Sequence, residues 1–267
     1  MPTHMEEYRF DLYGYTMIKQ AIDPGHMHAI HDWVDALPPL EPGQWYGYID
    51  VHTYGGIDGT NLQNIIEGGE IFERLIDHPS WIDLVRHYMG NRHDPFIHEG
   101  FLNMRGPGGY IGVHSGGHVH DSRKRSGRDR GQWCCSYLTL MVALTDVGLE
   151  DGATVVIPGS HKSDFPHPMQ DENAGISQGP GQKVEGAVEI HLQAGDAMLF
   201  NDYLCHGSAE RTSLGERRMI IFRYLPSIFA HRFGYVPSDE LLSRLTPQRR
   251  EIIQPVVPRR PFASPNV

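Results

Sequence analysis

The chain has 267 residues, a length that suits one large β domain or two smaller ones. Hydrophobic residues make up 39% of the chain and aromatic residues 10%, which supports a sizeable core and argues against global disorder. The formal net charge of −10, without a long Lys/Arg stripe, argues against a phosphate-binding surface and hence against a nucleic-acid partner.

The three cysteines and the hydropathy pattern bear on the compartment. Cys134, Cys135 and Cys205 form an odd set with two adjacent members, which indicates reduced thiols in a reducing environment. No stretch approaches the roughly 18 apolar residues typical of a membrane-spanning helix, and the first residues lack an apolar leader pattern. The sequence therefore predicts a soluble, cytoplasmic protein without membrane contact.

The N-terminal third combines an extended segment with helical patterns. Residues 8–19 predict a strand or turn, with the extended part at 14–18. An N-cap and a first-turn proline at 23–24 begin a helical region that continues to about residue 90. Within it, residues 40–62 are rich in Gly, Tyr and Asp and predict a long loop that can lie over a binding site.

The remainder of the chain is dominated by strand patterns. From about 96 to 225, apolar residues alternate with a period of two between Gly-rich turns, which predicts antiparallel strands, among them a long apolar strand from Trp133 to Leu144. Helical patterns return at about 238–256, and no shift in composition marks a domain boundary. Residues 1–267 are therefore predicted to form one domain with a helical flank (about 23–90), a β core and a short helical extension. The predicted fold class is mainly β with flanking helices.

One stretch, 194–224, concentrates the candidate chemistry. A turn at Gly195-Asp196 leads into an apolar strand that ends at His206, and a second strand begins at Arg217. An imidazole and a guanidinium thus lie eleven residues apart at the ends of neighbouring strands. In a jelly roll, such an arrangement can hold a metal ion beside a small dicarboxylate. An ordinary hairpin with a surface histidine and arginine fits the same pattern.

A second strand-end histidine, His114, lies 92 residues before His206. Iron(II) sites in proteins commonly use two histidines and one carboxylate and leave open positions for other ligands. Arg217 offers a permanently charged, bidentate partner for a carboxylate, and Ser208 supplies a hydroxyl on the same side of the strand as His206. Because the chain contains 17 histidines, two of them could also fall at strand ends by chance.

Several motifs resemble the phytanoyl-CoA dioxygenase-like family of iron(II)/2-oxoglutarate oxygenases, and with the Gly14-Tyr15 pair they span roughly residues 10–225. The matching segments are Gly-Pro-Gly-Gly (106–109) leading to His114, Ala-Leu-Thr-Asp (143–146), the run 151–162 that ends in Pro-Gly-Ser-His-Lys, and 195–208 with Arg217 beyond it. The resemblance implies a double-stranded β-helix, that is, a cupin-like jelly roll. It also implies iron(II) held by His114 and His206, 2-oxoglutarate anchored by Arg217 with help from Ser208, and O2 as oxidant.

The chain departs from the family pattern where a carboxylate is expected. The family has His-X-Asp, whereas here the triplet is His114-Ser115-Gly116. The following loop carries His118, His120 and Asp121, and Asp121, the nearest carboxylate in sequence, is the provisional third ligand. Two alternatives remain: the glycine makes room for chloride, as in related halogenases, or the site binds iron weakly or not at all.

The sequence as a whole predicts a dioxygenase that hydroxylates a small organic molecule. The alternatives are a 2-oxoglutarate-dependent halogenase that uses chloride at Gly116, and a non-catalytic binding protein that retains the barrel. On the strand that begins near residue 96, Glu99, Asn103 and Arg105 share one face, from which they could reach substrate or co-substrate.

Overall fold

The structure is a computed structural model that describes residues 1–55, 57–90, 94–119, 127–129, 131–170, 175–176, 183–227 and 236–253. Strands are numbered β1 to β14 and α-helices α1 to α6 in chain order. The larger sheet is antiparallel and has eight strands. Its spatial order is β1 (Tyr15–Ile18), β12 (Ala197–Asn201), β9 (Leu138–Ala143), β14 (Arg217–Pro226), β5 (Pro95–Arg105), β4 (Thr60–Gln63), β3 (Ile49–His52) and β2 (Trp45–Tyr46).

A smaller sheet packs against the larger one and completes the barrel. Its order is β11 (Val188–Ile190), β10 (Thr154–Val156), β13 (His206–Ser208) and β6 (Ile111–His114), and a separate hairpin joins β7 (Arg128–Asp129) to β8 (Gln132–Trp133). The helices are α1 (His4–Tyr13), α2 (Pro24–Asp35), α3 (Glu70–Glu73), α4 (Ile82–Tyr88), α5 (Asp239–Arg244) and α6 (Pro247–Ile253), with 3-10 turns at Ile65–Gly68 and Ser160–Lys162.

The central strand β14 shows why this sequence forms a two-layered barrel. Met219 and Ile221 point toward the smaller sheet, while Ile220 and Phe222 point toward the helices, and all four are buried. A strand buried on both faces needs an uninterrupted apolar run, which the sequence supplies at 219–222. Burying each such side chain contributes roughly 1.5–3 kcal/mol.

Four local predictions are corrected by the structure. Residues 8–13 belong to helix α1, because Thr3 and Glu6 form a capping box at its start and Gly14, at φ 85°, ends it. The extended part at 14–18 is confirmed as β1. The predicted loop at 40–62 contains β2, β3 and the start of β4, whose pairing with neighbouring strands outweighs the Gly-rich composition.

The third correction concerns the strand predicted from 133 to 144, which is divided between β8 and β9. The fourth concerns the strand predicted to end at His206: β12 ends at Asn201, whose side chain and carbonyl accept hydrogen bonds from the next turn, and His206 begins β13. His206 and Arg217 therefore lie in different sheets, not on neighbouring strands. Helices α5 and α6 lie within the predicted extension, and Ser238 caps α5 by accepting a hydrogen bond from Leu241. Among the described residues the longest helix, α2, has 12 residues, and none qualifies as a membrane span. The single-domain division stays a prediction.

Candidate active site

A cavity of about 540 Å³ lies between the two sheets. Its walls come from the inward faces of β5 and β14 on one side and of β6 and β13 on the other, and Tyr54, Ile57 and Asp58 contribute to its lining. Both candidate histidines and Arg217 line this one cavity. The fold therefore brings together residues that are separated by up to 103 positions in the sequence.

His114 and His206 form the centre of the site. They are directly paired across β6 and β13, and their ring centroids are 4.4 Å apart with the ring planes tilted by 53°. This close pairing follows from the sheet register, because strand neighbours project side chains to the same face. The two rings can thus approach a common ligand.

Hydrogen bonds to the backbone fix which nitrogen of each ring is available. His114 Nδ1 lies 2.9 Å from the Gly112 carbonyl oxygen, and His206 Nδ1 lies 2.7 Å from that of Leu204. Since a carbonyl oxygen can only accept, each Nδ1 carries a proton, and Nε2 is the nitrogen through which each ring could bind a metal ion. Burial, reinforced by the neighbouring His114, lowers the pKa of His206 to about 3. Imidazoles whose Nδ1 atoms are oriented by backbone carbonyls in this way are suitable metal ligands through Nε2.

Arg217, the first residue of β14, is buried without a carboxylate partner among the described residues. Its Nη1 donates to Asn103 Oδ1 at 3.1 Å, its Nη2 contacts Met219 Sδ at 3.1 Å, and its Nε has no hydrogen-bond partner in the described chain. Burial, and then the charges of Arg105 and Arg211, lower the pKa of Arg217 well below its ordinary value. A buried guanidinium in this condition is stabilised by an incoming anion.

Arg105 and Ser208 complete this end of the cavity. Arg105 is 2% exposed and donates from Nε to the Asp58 carbonyl (3.0 Å) and from Nη1 to Ser208 Oγ (2.5 Å). Burial lowers its pKa to about 10. Ser208 Oγ also accepts from Ile111 N at 2.8 Å, so its own hydrogen remains available for a ligand oxygen. The sequence placed Arg105 on this face, and the structure brings it beside Arg217.

The other end of the cavity carries a neutralised arginine. Arg223 lines the cavity and forms an ion pair through Nη1 with Glu99, its partner across β14 and β5. Glu99 also accepts from the Tyr54 hydroxyl at 2.5 Å and from Gln63 Nε2 at 3.0 Å. Although burial opposes ionisation, Arg223 and these hydrogen bonds hold the pKa of Glu99 below its ordinary value.

The backbone directly after His114 adopts positive φ values. Ser115 and Gly116 have φ values of 76° and 134°. A Cβ built on Gly116 would lie 2.7 Å from the His118 ring and 3.0 Å from Cys205 Sγ. Cys205, buried as predicted, packs with Val113 on the sheet face opposite His206. The space beside Gly116 is therefore filled, which argues against an open chloride position at this glycine.

The third ligand of the predicted metal site lies beyond what the structure describes. His120 and Asp121 fall outside the described residues. Within the described parts of the chain, no group of three or more His, Cys, Asp or Glu side chains is placed to hold a metal ion. The histidine pair and the arginine pocket are thus the parts of the predicted site that the structure brings together.

Several cavity residues were not predicted from the sequence. Tyr54, Asp58 and Asn61 line the cavity from the segment predicted as loop. The Asp58 side chain accepts from Thr53 Oγ1 at 2.8 Å and from Asn61 Nδ2 at 2.9 Å, and this short-range network shapes the rim. An Asp flanked by Gly residues does signal a turn in the sequence, but not which cavity the turn faces.

The two sheets, the inward histidine pair and the buried arginine define a double-stranded β-helix protein with a candidate metal and carboxylate site. The chain belongs to the phytanoyl-CoA dioxygenase family, which residues 10–219 match. The predicted fold and family are therefore confirmed. Iron(II), 2-oxoglutarate and O2 are the cofactors of this family, as the resemblance implied.

Two curated relatives share part of the sequence. The dioxygenase cdmD of Talaromyces verruculosus is 30% identical over 118 residues, which cover 43% of this chain and 35% of the relative. The dioxygenase trt7 of Aspergillus terreus is 31% identical over 118 residues, which cover 43% of this chain and 37% of the relative. The matched segments thus span little more than a third of either relative.

Solved structures share the fold over most of the chain. HygX from Streptomyces hygroscopicus with nickel, 2-oxoglutarate and hygromycin B bound has a TM-score of 0.71 at 22% identity, covering 89% of this chain and 98% of that one. SnoK, a non-heme alpha-ketoglutarate-dependent carbocyclase from nogalamycin biosynthesis, has a TM-score of 0.61 at 17% identity, covering 92% of each chain. At these identities the likeness supports the fold alone.

Proposed function

We propose that the protein is an iron(II)- and 2-oxoglutarate-dependent oxygenase that hydroxylates a small organic molecule. The observation that carries the proposal is the shared cavity. It holds two adjacent histidines whose Nδ1 atoms donate to backbone carbonyls and, on the same inner surface, a buried arginine without a carboxylate partner among the described residues. The first feature suits a divalent metal ion, and the second suits one end of a dicarboxylate.

Each residue has a distinct proposed role. His114 and His206 hold the metal through Nε2, and the Gly112 and Leu204 carbonyls keep both rings oriented. When bound, iron(II) and 2-oxoglutarate supply the oxidation by which one atom of O2 enters the substrate and the other enters succinate. The barrel walls orient the substrate and exclude water from the site.

Arg217 binds the distal carboxylate of 2-oxoglutarate, with Ser208 and Arg105 beside it. The Ser208 hydrogen can donate to a carboxylate oxygen because both hydrogen bonds that this hydroxyl makes in the structure are accepted ones. Arg105, held by Asp58, adds a second positive charge close to Arg217. Together they explain how an acidic protein can bind a dianion in its interior.

For the third metal ligand we retain Asp121 as the proposal. A carboxylate oxygen suits iron(II), and Asp121 follows His114 closely enough in sequence for the intervening loop to return it to the metal. Asp121→Ala should lower iron(II) affinity sharply, measured by anaerobic iron titration. A silent Asp121→Ala, together with 2-oxoglutarate affinity that rises with added chloride, would instead support a halogenase.

The test of the proposed function combines binding and turnover. Purified protein should take up about one iron(II) per chain and, once loaded, convert 2-oxoglutarate to succinate in the presence of O2. HygX was solved with hygromycin B and SnoK acts in nogalamycin biosynthesis, so natural products of comparable chemistry are reasonable first substrates to try. Iron and 2-oxoglutarate binding without any succinate release across such a panel would favour a non-catalytic binding protein.

A further inference from the structure

The proposed function assigns no ligand to the Glu99–Arg223 end of the cavity. Arg223 lies six residues after Arg217 on the same face of β14, which places their Cα atoms about 20 Å apart. A five-carbon dicarboxylate held at Arg217 extends over less than half of that distance. The second arginine therefore faces the part of the cavity that remains for the substrate.

Arg223 keeps hydrogen-bond donors for a ligand. Its guanidinium has five N–H groups, and within the described chain only Nη1 donates a hydrogen bond, to Glu99. Its buried Nε has no partner there. Glu99, by contrast, already accepts from Arg223, Tyr54 and Gln63. This end of the cavity therefore offers donors to a ligand and little free acceptor capacity.

The charge of Arg223 is already compensated. Glu99 pairs with it directly, and the negative charge of Asp202 acts on it as well. An anionic ligand would have to approach a guanidinium that has a carboxylate beside it, whereas an uncharged oxygen acceptor meets no such repulsion. Arg217, by contrast, has no carboxylate partner among the described residues. The cavity therefore suits a carboxylate at Arg217 and an uncharged oxygen acceptor at Arg223.

Part of the cavity wall beside Arg223 is apolar. Phe101 and Ile221, cross-strand partners on β5 and β14, line the cavity and lie two residues from Glu99 and Arg223 along their strands. Met141, Ile176 and Ile57 line it as well. A ligand that fills this space needs an apolar body, with its oxygen directed at Arg223.

We propose that Arg223, held by Glu99 and Tyr54, is a substrate-binding residue that selects an uncharged, largely apolar molecule through a carbonyl or hydroxyl oxygen. This inference names a substrate class and so rests on the proposed function, in which the other end of the cavity takes 2-oxoglutarate. Charged substrates, such as carboxylates and phosphate esters, are disfavoured at this position.

Three probes of nearly equal shape test the proposal: acetylnaphthalene, naphthoate and isopropylnaphthalene, substituted at the same ring position. Their dissociation constants are measured by ligand-observed NMR on protein loaded with zinc and 2-oxoglutarate, so that turnover plays no part. The ketone should bind about tenfold more tightly than either the hydrocarbon or the carboxylate, since one hydrogen bond to a charged donor is gained without charge repulsion. Equal binding of the three probes, or a preference for naphthoate, would overturn the proposal.

Substitution variants test whether Arg223 causes the preference for the ketone. Glu99→Gln keeps a hydrogen-bond acceptor for Arg223 but removes the negative charge, so naphthoate should gain about tenfold relative to the ketone. The double variant Glu99→Gln/Arg223→Met leaves no unpaired charge that could prevent folding, and in it the ketone should lose its advantage over the hydrocarbon. Arg218→Met, on the outer face of the same strand, should change none of these ratios. Survival of the ketone preference in the double variant would contradict the assignment.

The same series separates this inference from the proposed function. Arg217→Ala should weaken 2-oxoglutarate binding by roughly thirtyfold or more and leave the ketone preference intact. If wild-type protein fails to bind 2-oxoglutarate yet prefers the ketone, the proposed function is wrong and the subsite stands. If 2-oxoglutarate binds normally and the ketone shows no preference, the subsite is wrong and the proposed function stands.

Discussion

Both ends of the cavity carry an arginine from β14, yet the two arginines are in opposite electrostatic conditions. Arg217 is buried beside another cation, Arg105, and has no carboxylate partner in the described chain, whereas Arg223 is paired with Glu99. A buried charge without a counter-ion is costly for the isolated protein and is tolerated where a ligand supplies the missing charge. Whether an arginine has a carboxylate partner therefore indicates what it binds better than its presence alone.

The largest expected effect concerns the histidines that lie between these two ends. The double variant His114→Ala/His206→Ala should lose iron(II) binding entirely, because both Nε2 lone pairs are removed from the site. Metal analysis after anaerobic loading and desalting measures it, with circular dichroism to verify the fold. Full iron stoichiometry in the folded double variant would place the metal elsewhere.

The ion pair between Glu99 and Arg223 can be tested through its contribution to the free energy of unfolding. Glu99→Ala leaves Arg223 without its buried partner and should lower the free energy of unfolding by about 3 kcal/mol. The matched control is Asp35→Ala, which removes the exposed partner of Arg218 on the same strand and should cost less than about 1 kcal/mol. Urea denaturation of both variants gives the difference. Equal losses would show that the Glu99 pair is not the more stabilising of the two.

A smaller effect is expected at the glycine where a carboxylate is missing. Gly116→Asp must adopt φ near 134° and displace the His118 ring, so it should cost about 2 kcal/mol of stability without increasing iron affinity. Gly106→Asp is the control, because no atom lies within 4 Å of the Cβ position at Gly106, and it should change stability by less than about 0.5 kcal/mol. A stable Gly116→Asp with tighter iron binding would mean that the backbone here can turn toward the metal.

The smallest effect is expected for Ser208, which lies at the Arg217 end of the cavity. Ser208→Ala removes one donor for the distal carboxylate of 2-oxoglutarate, a loss of about 1 kcal/mol, or roughly fivefold in its dissociation constant. Calorimetric titration of wild type and variant under zinc measures it. An unchanged affinity would remove Ser208 from the co-substrate site and leave it as a support for Arg105.

The sequence allowed the fold and one half of the cavity to be predicted, for physical reasons. His114, His206 and Arg217 lie at strand ends that hydrophobic alternation marks, and the spacing of the surrounding motifs is typical of the family. The start of helix α1 could also be predicted, because Thr3 and Glu6 have capping-box spacing. Its later residues were nevertheless predicted as a strand or turn.

The other half of the cavity depends on long-range pairing that no local pattern encodes. Arg223 meets Glu99 across 124 residues, and Tyr54 reaches the same carboxylate from a segment whose composition indicated a loop. Likewise, the filled space beside Gly116 depends on Cys205, which belongs to a different strand region. Such contacts follow from the register of strands and cannot be read from residue types alone.

The most direct test of the central claim compares two neighbouring arginines on β14. Arg217 faces the cavity, whereas Arg218 faces outward and pairs with Asp35 and Glu216. Truncating one member of a buried charge pair costs on the order of 2–5 kcal/mol, so Arg217→Ala should weaken 2-oxoglutarate binding by roughly thirtyfold or more. Arg218→Ala should leave it within about twofold of wild type. Calorimetric titrations in which Arg218→Ala causes the large loss and Arg217→Ala the small one would contradict the account.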